Sequence, residues 1–169
     1  MLPIFRRKSP DTEVAKEYLE EGARLADEAF GRQFSTFIKY TMTNEVLGKF
    51  VDDQGDGLRD TFQWFELQFL WGFFHEYVQT EKFATNGFSR ILVHIIHRLI
   101  HKHGLSLAHA RDAALELEDL YNKADSNFEA ISELGKKAFH DPLLDDAMVS
   151  IVMALAMTLD MERTAAKGC

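Results

Sequence analysis

The chain has one cysteine, Cys169 at its last position. No internal disulfide can form, and the simple expectation is a reducing compartment, the cytoplasm. Basic charge is also scarce. There are 19 Lys and Arg against 27 Asp and Glu, a net charge of −8. That is the opposite of a nucleic-acid binder's electrostatic footprint. No strand-like alternation, internal repeat or low-complexity tract is present. There is no Gly-rich phosphate loop, serine elbow or paired-cysteine motif, so nothing marks an enzyme. No apolar run reaches the roughly 20 residues of a membrane span.

The segment Met1–Phe5 followed by Arg6-Arg7-Lys8 has its charges on the wrong side of too short an apolar stretch for a signal peptide. One such short signal would anchor weakly to a membrane surface, so a frayed tail is expected over residues 1–10.

What is present is helical period and many aromatic rings. A length of 169 residues fits one domain that buries roughly 70% of its unfolded surface. Of 14 phenylalanines, most fall between Phe30 and Phe88. The expected class is all-α: a single-domain bundle of five to seven helices over residues 11–163, with a frayed end at 164–169.

Ser9-Pro10-Asp11 is a helix start. The run beyond it contains Gly22 and Gly31 and reads as one bent helix or two in series. Asp52–Gly57 is a loop by composition. A helix follows from Leu58 to about Thr80, then a linker over 81–87, then a third helix from about Phe88 to His103 stopped by Gly104. Ser106 caps the next. From Leu107 to Ala138 apolar residues alternate by three and four, which favours one long helix kinked near Ser126. A capping box of Ser126 with Glu129 would instead split it. Asp141-Pro142 starts a last helix to about Arg163.

The helix Leu58–Thr80 carries apolar side chains over about 260° of its circumference, with only a strip of Gln68, Gly72, His75 and Gln79 polar. It is expected at the centre of the bundle. The last helix, with Met148, Val149, Ile151, Val152, Met153, Leu155, Met157 and Leu159, is nearly as apolar. One domain seldom holds two central helices. Part of this surface is therefore expected at a protein–protein contact, most simply a two-fold homodimer.

Glu66 projects into the most aromatic face, where a carboxylate must be paired, metal-bound or protonated. It either marks a pocket for a small anion or apolar ligand, with His75 nearby, or pairs with an Arg or His of a neighbouring helix. On the third helix Arg90, His94, His97 and His101 share one side, with Arg98 and Lys102 flanking. His97 and His101 have the spacing of a helical metal pair, and His94 supplies a third ligand for a divalent transition metal. Against a metal stand the neighbouring arginines, which suit an anion or an acidic partner surface. A solvated polar face is the plainer reading.

Asp52, Gln54, Asp56, Gly57 and Asp60 partly fit a calcium loop, but Gln63 replaces the bidentate glutamate. His140-Asp141 with His109 is similar to the pattern of HD-type metal phosphohydrolases, although Asp141 and Pro142 already have a helix-start explanation. The sequence thus leads to a non-enzymatic helical interaction or adaptor protein, homodimeric, with no cofactor. A ligand-binding module near Glu66 and a metal-dependent protein using the histidine stripe are the alternatives.

Overall fold

Pro10 carries the φ that a helix needs at its first position, and there the first helix opens. In a computed structural model, which describes residues 10–54, 58–80, 87–124 and 126–144, α1 runs Pro10–Thr41 without a break. The others are α2 Glu45–Gln54, α3 Leu58–Thr80, α4 Gly87–His101, α5 Leu107–Asn122 and α6 Ser126–His140. Among the described residues there are six helices and no strand, an all-α fold. No helix among them is long and apolar enough to cross a membrane. Residues 1–9 of the expected N-terminal tail, 81–86 of the expected linker, the last helix beyond Leu144 and Cys169 lie outside the described residues. Gly87, expected to close the linker, already belongs to α4, and Asp141 to Leu144, expected to open the last helix, form a turn.

Local chemistry sets most helix ends. Asn44 caps α2, its Oδ1 accepting from the backbone N–H of Val46 at 3.0 Å and Leu47 at 3.1 Å. Gly104 takes φ +68 and stops α4 as expected, and the Ser106 hydroxyl accepts from His109 N–H at 3.3 Å to open α5. The structure differs from the sequence reading at two places. Asp52 to Gln54, expected in a loop, form the last turn of α2. The long seam is two helices, not one. Ala124, which the spacing places in the seam, is an exposed residue at φ +51 in the turn between them. Small and apolar, it continues the spacing while the backbone reverses hand.

The α3 helix is central. Every residue from Glu66 to Phe74 is buried, because α1, α4, α5 and α6 surround it and α2 packs on it as well. Against α1, which runs antiparallel to it, Phe30 meets Phe69 and both Phe34 and Phe37 meet Phe62 at ring centroids 5.1–5.5 Å apart. His94 of α4 stacks on Phe74, and Tyr121 of α5 lies 5.6 Å from Trp71. Each such ring contributes roughly 1.5–3 kcal/mol of burial.

The fourth neighbour occupies the strip that reads as polar in the sequence. Gly72 faces α6: a Cβ placed on it would lie 1.7 Å from the Ser132 carbonyl oxygen. Reciprocally, a Cβ on Gly135 would lie 1.9 Å from the Phe69 carbonyl oxygen. The two helices therefore cross backbone against backbone. Gln68 and Ser132 are buried at the same seam. At Gln68 and Gly72 this strip is a packing groove, while His75 is half-buried and Gln79 reaches solvent.

A substitution pair tests the crossing. Gly72→Ala or Gly135→Ala should cost more than about 3 kcal/mol, since the obstacle on each side is backbone and the helices must separate. Gly31→Ala, where nothing lies within 4 Å of the new methyl, should stabilise by roughly 0.5–1 kcal/mol through helix propensity. Denaturant midpoints measure both. Equal effects at the three sites would refute the close crossing.

Candidate functional site

Helix α4 decides where the sequence's candidate residues go. Its inner side consists of Ile91, His94, Ile95, Arg98 and Leu99, all buried, while Val93 is half exposed. Polar and apolar stripes both turn inward in part, because α4 sits between α1, α3 and α5. The expected solvated face is found at His101 and Lys102 and in part at His97, but not at His94 or Arg98.

The stripe has several separate destinations. His94 enters the core, parallel to Phe74 at 4.7 Å with Tyr77 edge-on at 5.3 Å. Gly22 of α1 admits it, since a Cβ there would lie 2.9 Å from its ring. Arg90 donates to the Val78 carbonyl at 3.1 Å and ties the start of α4 to the end of α3. Arg98 turns to Glu66. His97 and His101 remain on the outer side with ring centroids 4.3 Å apart. The three histidines are thus not gathered as one metal set. Among the described residues no group of three or more His, Cys, Asp and Glu side chains has the arrangement to hold a metal ion.

Glu66 has the partner that its aromatic surroundings demand. The Arg98 guanidinium donates to Oε1 through Nη2 and, at 3.1 Å, through Nε. Both side chains are almost fully buried. Lys102 Nζ stands 3.3 Å from the same oxygen. His103 Nε2 is 3.1 Å from Oε2, though off the line of a hydrogen bond. Asp27 of α1 completes the cluster, with Arg98 Nη1 at 2.8 Å and Lys102 Nζ at 2.7 Å.

Two carboxylates and two permanent cations balance, so a neutral His103 suits the site. Burial, together with Arg98 and Lys102, holds its pKa below the ordinary histidine value despite Glu66. Burial raises the pKa of Asp27, but Lys102 and Arg98 outweigh it and the net shift is downward. Chemically this is an ion-pair junction of α1, α3 and α4. The sequence points to Glu66 and to an Arg or His partner. It misses Asp27 and His103, because one lies on an exposed turn of α1 and the other, at the end of the third helix, stands off the stripe of Arg90, His94, His97 and His101.

A second polar cluster lies at the far end of α3. The Glu76 carboxylate bridges two imidazoles, His75 Nδ1 and His140 Nε2, each at 3.0 Å. Hydrogen bonds from His75 and then His140 hold its pKa below the usual carboxylate range. With Glu133, Lys136, Lys137, Asp141 and Leu144 it lines an open groove of about 450 Å³. His140 therefore closes α6 onto α3, while His109 stands exposed in the first turn of α5. Adjacent His75 and Glu76 are visible in the sequence; their link to His140 is not. No known protein family matches the chain, and none of the curated proteins or solved structures compared with it is a significant match.

Two measurements probe these clusters. Arg98→Leu alone should cost about 3–5 kcal/mol by leaving Glu66 buried without its main partner. Adding Glu66→Leu should recover most of that loss, because the Asp27–Lys102 pair survives. A double-mutant cycle with no coupling would refute the junction.

Stability should also fall with pH in two stages. His97, through burial and then the nearby His101 and His94, and His103 both have folded pKa values below the unfolded value of about 6.5. The unfolded chain therefore binds more protons, and stability drops as pH falls through about 6.5. Glu76 and Asp27, depressed in the fold, add a further loss below about pH 4.5. Urea titrations from pH 8 to 4 measure this, and His103→Gln should flatten the first stage. Constant stability between pH 7.5 and 5.5 is the opposing result.

Proposed function

We propose that the chain is a non-catalytic helical interaction protein that works as a homodimer in the cytoplasm. The observation that carries this reading is an apolar corner where α1 meets α2. Ile38, Tyr40, Met42 and Val46 lie within nine consecutive residues and all stand in solvent, Met42 at 83% exposure. Single exposed apolar residues are ordinary, but a group of four large ones at one turn fits a contact surface.

At a net charge of −8 two copies repel at long range, so a dimer depends on apolar burial at this corner to offset that repulsion. The charged residues with the strongest chemical character are meanwhile engaged with one another. Glu66 and Arg98 hold each other, and Glu76 holds two histidines. Such pairing suits a scaffold more than a reaction site. A single cysteine supports the cytoplasmic assignment.

Light scattering across a concentration series tests the proposal. The expected mass is twice the 19.4 kDa of one chain. Met42→Asp combined with Val46→Asp should return it to one chain with unchanged helix content. A single-chain mass at every concentration up to the millimolar range overturns it.

A further inference from the structure

Helix α4 leaves two imidazoles on its outer side, while His94 and Arg98 turn inward and Arg90 bonds back to α3. His97 and His101 are four residues apart, one helical turn, on a helix whose inner residues Ile95, Arg98 and Leu99 are fixed by burial. Their ring centroids lie 4.3 Å apart with the planes inclined at 41°. An ion bound by one nitrogen of each ring at about 2.0–2.1 Å sets ring centres roughly 4.5 Å apart at a square angle and about 5.2 Å apart at a tetrahedral one. The observed pair is within a few tenths of an ångström of the square spacing. We propose that His97 and His101 form a two-imidazole chelate for a divalent transition-metal ion, open on its outer side.

The neighbouring charges permit it. Arg98, one residue from His97, is neutralised by Glu66 and Asp27, and Lys102, one residue from His101, by Asp27. Glu20 of α1 is close enough to His97 to act on it with negative potential. Partial burial and the two other imidazoles lower the pKa of His97, which favours the neutral form that binds metal. His94, stacked on Phe74, stays out of the set. With two protein ligands the ion keeps open positions for water or for a donor from another molecule. Imidazole as the sole protein donor suits copper, nickel or zinc and excludes calcium and magnesium, which take oxygen.

Calorimetric titration with Ni²⁺ alone at pH 7.5 tests the site, in a Cys169→Ser background that removes the only thiol. One ion per chain is expected. His97→Ala and His101→Ala should each weaken binding at least tenfold, whereas His94→Gln should leave it within about twofold. His101 is exposed, so its removal spares the fold. As a second readout, Ni²⁺ should raise the thermal midpoint of the parent and leave that of His101→Ala unmoved. Failure of the parent to bind, or equal binding by His101→Ala, overturns the proposal.

Discussion

The fold depends on a contact between two backbones. At Gly72 and Gly135 helices α3 and α6 meet with no side chain between them, the would-be Cβ of each lying under 2 Å from a carbonyl oxygen of the other helix. Close approach increases dispersion contact along the whole crossing. It also sets where larger groups must go. Trp71, Phe128 and Tyr121 fill one flank, and Phe73 with Phe139 the other. Small residues at the crossing point and rings around it form one packing solution, and neither part fits without the other.

Around that axis the charged junction chooses the arrangement of the remaining helices. Apolar surfaces tolerate sliding, but Glu66 and Arg98 are both buried and must find each other. Asp27 and Lys102 extend the same constraint to α1. A buried ion pair adds little net stability, since desolvation offsets attraction. Its physical effect is on register: a one-turn slip of α4 along α3 moves Arg98 by about 5.4 Å and strands both charges. At the other end Glu76 with His140 performs the same service between α3 and α6, in a half-buried setting with a smaller penalty for error.

The polar residues of α4 show how one helical stripe is divided by its neighbours. His94 becomes an aromatic core residue, Arg98 a buried cation, and His97 and His101 an outward imidazole pair. The apolar corner of α1 and α2 lies on a different part of the fold from this pair. Contact with a second copy and capture of a metal ion are therefore separable properties, each resting on its own residues.

Much of the architecture was legible in the residues. Helical period, Pro10, Gly104 and Ser106 act within a few positions along the chain, so composition and spacing determine them directly. The same holds for the central place of Leu58–Thr80, because a helix apolar on nearly all sides has no stable exposed face. Periodicity describes a helix about its own axis and carries no information on what stands beside it. That is why the strip at Gly72 looked polar when it is a docking groove, and why the seam ran unbroken through Ala124. Tertiary structure alone decided that α6 fills the groove, that Asp27 joins Glu66 across 39 positions of chain, and that the histidine stripe divides. Those outcomes depend on packing between distant segments, and no local pattern encodes them.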